Sequence, residues 1–337
     1  MVEEYSASLP DWMLFVGKWG EQEAGHPLVY HMIDSAAVAA LLWQQGLSQG
    51  VRDQFSNWLQ APEDDCGHLL AFWTSLHDLG KATPTFQTKH NPTKAILLSR
   101  GFDFPPLPEG DLRHHSLLSQ WALKDIQADI HFPGAVYTTF RFAIGGHHGI
   151  FHGLEDDQVV PQNLGGAIWR DARREMVLAL MRLFNPPTLP ALRLNQTDRN
   201  AFFNLLTGFF VTSDWIASQD DLFHYEAPTP DLSRYLTEVA EPRAHQALEK
   251  TGWIGWQPDA KLSNFSEIFP FPPHQLQQII IEEAEKQREP FLMIVEAPTG
   301  SGKTEAALIA ADRAIQAGRL RGCYIAMPTQ ATSNQMY

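Results

Sequence analysis

The sequence predicts a mostly α-helical domain joined to the beginning of an α/β lobe. Apolar residues recur at three- and four-residue spacing through residues 27–43, 68–81 and 199–218, the period of helices with one buried face. From Phe265 onward the pattern changes. An apolar run, Leu292–Val295, precedes a glycine-rich loop, an alanine-rich helix and a second apolar run, Cys323–Met327. Strand, helix, strand over about 35 residues is the βαβ unit that starts a parallel sheet. The stretch 222–262 holds one more helix and a Trp-, Gly- and Pro-bearing tail. The expected division is therefore residues 1–262, with a core at about 20–250, and residues 263–337.

A chain of 337 residues suits two domains. No run of about 18 apolar residues occurs, so no membrane span is expected. The start, Met-Val-Glu-Glu-Tyr, lacks the basic then apolar layout of a signal peptide. Cys66 and Cys323 fit no metal spacing and read as reduced thiols of a cytoplasmic protein. The net charge is −14. It repels nucleic acid as a whole, so phosphodiester chemistry would require bound cations to neutralise the site.

In chain order, residues 1–25 form a mixed leading segment. A helix starts at Pro27, since proline suits a first turn. Its stripe His31, Val38, Leu42 turns His31 toward the core. Residues 45–65 read as loop with a short amphipathic piece around Phe55 and Trp58. A second helix, from about His68, aligns Leu70, Trp73 and His77; Asp78 follows about 100° round the axis. Lys81, at +4 and +3, overlies both. Gly80 and Thr83-Pro84 end this helix. Residues 90–112 read as loop. Arg113-His114-His115 opens another helix. Gly146-His147-His148-Gly149 sets two histidines between glycines, which lets both rings turn to one side. A polar loop at 151–166, a helix around 170–184 and a Pro-rich loop follow. In the helix 199–218, Phe203, Phe210 and Asp214 share one stripe. A carboxylate that continues a buried stripe is costly unless paired or bound to metal.

His31, His77, Asp78, His115, His147, His148 and Asp214 form one candidate set, several of them on core-facing stripes of otherwise apolar helices. Seven such residues are hard to house in a core without metal. Imidazole and carboxylate ligands suit Mn, Fe, Co, Ni or Zn, and two ions about 3.5–4 Å apart suit phosphodiester displacement. Asp78 could bridge them while His77 binds one. Lys81 could stabilise charge on the reacting phosphorus.

The order His, His-Asp, His, His-His, Asp resembles the HD phosphohydrolase superfamily. The local strings are closer still. His26-Pro-Leu-x-x-His31, His77-Asp78-Leu-Gly-Lys81, His115-x-x-x-Ser119, Gly-His147-His148-Gly and Asp214-Trp-Ile-Ala-Ser218 resemble the nuclease domain of the CRISPR-associated helicase-nuclease of type I systems. The resemblance implies an HD-type α-helical domain that hydrolyses single-stranded DNA. It gives His31, His77, Asp78 and Asp214 to one metal ion and Asp78, His115, His147 and His148 to a second, the ions being Mn, Co, Ni or Fe. His114 is the alternative to His115 in this register. The resemblance further implies a Cascade-type surveillance complex as partner and ATP-driven translocation that feeds one strand to the nuclease.

The glycine-rich loop is Thr299-Gly300-Ser301-Gly302-Lys303-Thr304, a P-loop between strand and helix. Its backbone amides would cradle phosphates, Lys303 would meet the β and γ phosphates, and Thr304 would bind Mg²⁺ beside ATP. Ala297 replaces the first glycine, as superfamily 2 helicases allow. Gln277 resembles their adenine-reading glutamine, and Pro328-Thr-Gln-Ala-Thr332 their next motif. This lobe is expected to be the N-terminal part of a RecA-like helicase domain, cut after that motif; without a second lobe the chain by itself is not expected to hydrolyse ATP or unwind DNA. Two other readings follow from the same residues: an HD phosphohydrolase of nucleotides, and a non-catalytic recruitment module with a degenerate metal site.

Overall fold

The computed structural model describes residues 9–20, 25–107, 111–130, 134–151, 159–255, 264–287, 291–317 and 323–326. The expected helicase motif at Pro328–Thr332, Met327, His131 and His152 lie outside the described residues. The chain divides into two units, Met1–Ile254 and Gly255–Tyr337.

Among the described residues, the regular structure of the first unit is helical apart from one hairpin. The expected mixed leading segment instead contains β1 (Val16–Trp19), paired antiparallel with β2 (Gly25–Pro27). Pro27 ends β2 and caps α1 (Leu28–Leu41). Helix α1 is buried almost all round, with the helices Glu63–Ser75, Gln196–Ala217 and Glu241–Lys250 packed against it. The stretch read as loop holds a regular α2 (Gln49–Leu59), amphipathic through Phe55, Trp58 and Leu59. Helix α3 (Glu63–Ser75) starts earlier than expected because Glu63, Asp64 and Asp65 fill its first turn, where the helix dipole favours negative charge. It also stops earlier, so His77 and Asp78 lie in the turn beyond it rather than on it.

The expected loop 90–112 begins with α4 (Asn91–Ser99). Pro92 falls in its first turn, and the His90 ring accepts the Thr93 amide as the cap. A proline there starts a helix rather than breaking one. Helix α5 (His115–Asp125) then packs against α6 (Gly134–Gly145). Helices α7 (Ala167–Phe184) and α8 (Gln196–Ala217) follow, the latter capped by the Asn195 side chain on Asp198 N. α9 (Glu241–Lys250) closes the unit. The core runs through Trp73, Tyr137, Phe140, Trp169, Phe202 and Phe210, all fully buried. Cys66 and Cys323 are free thiols, and no helix among the described residues is long and apolar enough to cross a membrane.

In the second unit α10 (Gln275–Lys286) packs against α11 (Lys303–Gln316). The expected strands at 292–295 and 323–327 show no ladder pairing among the described residues. Strand structure is tertiary: an extended segment needs a neighbouring edge. Leu292, Ile294 and Tyr324 keep their side chains largely exposed.

Candidate metal centre

Five pieces of chain converge on one buried point. His31 lies in the first turn of α1, His77 and Asp78 in the turn after α3, His115 at the start of α5, His147 and His148 in the turn after α6, and Asp214 in the last turn of α8. Asp78 has φ −102° and ψ 14°, the sparsely used bridge region in which many active-site residues sit. Short-range bonds tighten the turn. His77 N donates to Thr74 O at 3.1 Å and Lys81 N to Asp78 O at 2.8 Å.

Asp78 divides its carboxylate between two groups of ring nitrogens. Its Oδ2 lies 3.2 Å from His31 Nε2 and 3.3 Å from His77 Nε2. Its Oδ1 lies 3.3 Å from His115 Nε2 and 3.7 Å from His147 Nε2. Asp214 Oδ1 faces the first pair again, at 3.2 Å from His31 and 3.3 Å from His77. His148 Nε2 stands 2.9 Å from His115 Nε2. The donor atoms of His31, His77, Asp78 and Asp214 lie within 4.8 Å of one another, as do those of Asp78, His115 and His147. His148 joins His114 and His115 in one such group and His147 and Asp214 in another, but does not share a group with Asp78.

Four of these atoms approach without a hydrogen bond. His31 Nε2, His77 Nε2, His147 Nε2 and Asp78 Oδ1 are buried and make no hydrogen bond among the described residues. Each stranded buried polar group costs on the order of 1–3 kcal/mol. Several side by side are explicable as ligands turned toward shared ions. The outer atoms agree. His77 Nδ1 donates to Thr74 O at 2.8 Å and His147 Nδ1 to Ile144 O at 2.6 Å, which leaves the Nε2 lone pairs facing the centre. Ser218 Oγ donates to Asp214 Oδ1 at 3.0 Å.

Electrostatics separates the two histidines that share the carboxylates. Burial opposes charge on His77, but Asp78 and Asp214 outweigh it and push its pKa up to about 10. Burial, together with Lys18, wins at His31 and lowers it. Burial also lowers His147 to about 4 and His115 to about 2. Burial opposes ionisation of Asp78 and Asp214 too. Lys81 and His77 nevertheless hold Asp78 well below the ordinary carboxylate range, and His77 and His31 do the same for Asp214. The cluster therefore carries two carboxylates and one imidazolium proton, a charge balance that a divalent ion could take over.

Lys81 does not project into water. It is buried, with Nζ 2.6 Å from Asp78 Oδ2 and donating to Gly17 O at 3.2 Å. That carbonyl belongs to β1, which the sequence reading missed together with Lys18. Lys18 Nζ donates to Ala217 O at the end of α8. Gln87 fastens β1 here: its amide donates to Val16 O and Lys81 O and accepts from Val16 N. The only sequence signal for the hairpin was the short apolar run at Phe15-Val16. Of the remaining histidines, His26 is buried against Asp34 at 3.1 Å and His90 caps α4.

In the second unit, Gly300 and Gly302 adopt φ of +81° and +78°, which glycine alone takes without strain. Ser301 Oγ donates to Pro298 O, and Lys303 Nζ to Ala297 O at 2.6 Å and Pro298 O at 2.8 Å. Thr299 and Thr304 are exposed. Gln277 is buried. Its oxygen accepts His274 N at the cap of α10, and its nitrogen donates to Gly302 O at 3.2 Å.

The family model described as Cas3, HD domain, matches residues 17–223, and that of the DEAD/DEAH box helicases matches residues 274–337. The CRISPR-associated endonuclease/helicase Cas3 of Thermus thermophilus is 32% identical over 317 residues, which cover 93% of this chain and 34% of that protein. The chain thus spans about a third of the length of the curated relatives it matches. Among solved structures, the Thermus thermophilus cas3 HD domain in the presence of Ni²⁺ superposes with a TM-score of 0.55 at 26% identity, covering 75% of this chain and 94% of that one. A chain of a CRISPR RNA-guided surveillance complex in a pre-nicking state gives a TM-score of 0.61 at 27% identity, covering 96% and 37%.

Proposed function

The chain belongs to the Cas3 HD-domain family, and from that premise we propose that its buried histidine–aspartate cluster is the two-metal centre of a nuclease that hydrolyses phosphodiester bonds of single-stranded DNA. The observation that carries this is Asp78, which offers one carboxylate oxygen to His31 and His77 and the other to His115 and His147. In this reading His31, His77, Asp78 and Asp214 hold one ion, and Asp78, His115 and His147 hold a second, with His148 completing it from the exposed side. The Ni²⁺ of the related HD domain supports a divalent transition metal; Mn, Co, Ni and Fe all suit the donor set.

When bound, such ions would supply Lewis acidity and neutralise the carboxylates so that a phosphodiester can approach. The chain's own groups do the rest. The Thr74 and Ile144 carbonyls fix the tautomers of His77 and His147. Ser218 orients Asp214. Lys81 holds an ammonium beside Asp78, close to where charge develops on the phosphoryl oxygens. His31, His77, Asp78, His147 and Asp214 are buried, while His115 is partly exposed and His148 exposed.

We read residues 1–262 as this nuclease domain and residues 263–337 as the start of the helicase lobe. There Gln277 and the loop Thr299–Thr304 would receive ATP with Mg²⁺ in the whole protein. Coupling to translocation, docking on a Cascade-type complex in type I interference, and a cytoplasmic location belong to the same proposal. The surveillance-complex neighbour favours the docking.

The test is cleavage of circular single-stranded DNA by the purified chain with Mn²⁺ or Co²⁺, beside Asp78→Ala. Linear products from wild type and none from the variant are expected. No cleavage by either would sink the nuclease reading, and hydrolysis confined to free nucleotides would replace it with a nucleotide phosphohydrolase.

A further inference from the structure

Phe86 touches the metal centre on one side and two ammonium groups on another. Its ring lies edge-on to His115 with centroids 5.9 Å apart. Lys81 Nζ stands 5.4 Å from its centroid and Lys89 Nζ 5.2 Å. Trp19 meets the same ring edge-on at 5.8 Å and leans on His90 at 5.3 Å. Lys18, next to Trp19 on β1, reaches the carbonyl end of α8 beside Asp214. Lys89 is exposed, Lys18 and Trp19 are half-buried, and Phe86 is buried.

A cation over an aromatic ring is ordinary by itself, at roughly one instance per 70–80 residues. Two cations on one ring that also borders a metal centre are not explained by that frequency. The charge balance points the same way. The chain holds 39 acidic against 25 basic residues, yet among the described residues neither Lys18 nor Lys89 pairs with a carboxylate. Burial, and then Lys81, hold the Lys89 ammonium below its ordinary pKa, and burial does so at Lys18. Lys81 already pairs with Asp78, while Lys89, exposed and without a carboxylate partner among the described residues, is open to an anion.

We propose that Lys18, Lys81 and Lys89, with Trp19 resting on Phe86, form a strip that seats a single-stranded polynucleotide leading to the metal centre. The ammonium groups meet successive phosphates, and Trp19 offers a face to an unpaired base. An aromatic platform flanked by cations is the arrangement that holds single strands without regard to sequence, whereas a duplex keeps its bases stacked inside. The inference rests on the reading of the centre as a phosphodiesterase and adds the path of its substrate.

The experiment measures binding of a fluorescent oligothymidylate to this chain without added metal, across a salt series. Lys89→Ala is expected to flatten the slope of log K against log salt by about 0.7, the contribution of one phosphate contact on a single strand. Lys89→Glu should weaken binding further. Trp19→Ala should weaken it on the order of tenfold while changing the salt slope little, and should matter much less for a blunt duplex. Lys124→Ala is the control, since its ammonium lies over Trp121 outside the strip. Wild-type affinity and slope in both Lys89 variants would overturn the strip. Because Lys89 is exposed, its variants keep the test open if Trp19→Ala does not fold. Hydrolysis of bis(p-nitrophenyl) phosphate with Mn²⁺, which has no second phosphate to lay along the strip, reports the centre separately. Weakened DNA binding with no hydrolysis of either substrate by wild type would keep the strip and reject the phosphodiesterase reading.

Discussion

Gly80 and Ser119 hold α5 against the turn that carries Asp78. Gly80 N donates to Ser119 Oγ at 2.8 Å, and that hydroxyl donates onward to His115 O at 3.0 Å. A Cβ on Gly80 would come within 2.1 Å of His115 O and 2.3 Å of Ser119 N. Both are backbone atoms and cannot swing aside. Gly80→Ala must therefore push α5 outward and take His115 with it. The expected outcome is a loss of about 1–3 kcal/mol in stability, seen as a lower urea midpoint, together with loss of the second ion by metal analysis. A variant with wild-type midpoint and metal content would contradict this close packing.

The legible parts of the molecule are those whose cause is local. The apolar stripes of α1 and α8 led to His31 and Asp214 because a polar residue that continues a buried stripe stands out in sequence. Gly80 was legible only as a helix stop, since its actual role depends on a helix nearly forty residues further on. His77 carried the correct neighbours but the wrong geometry: it lies in a turn, and helix periodicity does not distinguish the last turn of a helix from the tight turn after it. The β1–β2 hairpin was hidden because its strands are too short to alternate and are held by Gln87 and Lys81 from elsewhere in the chain. Helix α4 was hidden by Pro92, which reads as a breaker until the His90 cap is seen.

Asp78→Asn separates bridging from burial. The amide keeps the size of the carboxylate but loses the negative charge, and one of its ends becomes a donor. In this variant one end can no longer serve as a ligand, so metal content should fall from two ions to at most one. Cleavage should fall at least a hundredfold, beyond the roughly 10- to 100-fold typical of losing only a supporting hydrogen bond. Isothermal titration with Mn²⁺ and a cleavage assay check this. Two ions bound at wild-type affinity would show that Asp78 does not bridge.

His77 makes the metal-free centre sensitive to alkali. Its pKa is raised above the ordinary 6.5, to about 10. The imidazolium therefore contributes stability that is fully present below about pH 6.5 and is lost as pH rises toward 10. Asp78 and Asp214 have lowered values, so their contribution holds above the ordinary carboxylate range and fails only as pH falls through their lowered values. In EDTA the melting temperature should decline across pH 6.5–10. With saturating Mn²⁺ that decline should vanish, because an ion replaces the proton. Binding at pH 7.5 should release about one proton at the first site, measurable by calorimetry in buffers of different ionisation enthalpy. A flat melting profile in EDTA would show that the cluster holds no such proton.

Ser218 lies one turn beyond Asp214 and donates to its Oδ1. Ser218→Ala leaves that oxygen without its outer partner. Metal affinity at the His31 side should weaken on the order of tenfold, with little change in melting temperature because Ser218 is only partly buried. Ser218→Thr, which keeps the hydroxyl, should restore most of the affinity. If Ser218→Ala binds Mn²⁺ as wild type does, the hydroxyl does not orient Asp214.

His114 and His115 are adjacent in sequence but differ in what their rings do. His115 Nε2 faces Asp78 Oδ1 at 3.3 Å. His114 caps α5: its Nδ1 accepts the Ser116 amide at 3.3 Å and lies 2.9 Å from Ser116 Oγ. An acceptor Nδ1 puts the proton of the neutral ring on Nε2, which is then a donor and no ligand. His115→Ala should therefore lose the second ion and most cleavage while α5 stays capped. His114→Ala should keep both ions and cost about 1 kcal/mol of stability through the lost cap. His114→Asn, which restores an acceptor at that position, should recover it. Metal content and urea midpoints of the three variants decide the register. Loss of an ion from His114→Asn would reverse the assignment, because asparagine repairs the cap but cannot replace an imidazole ligand.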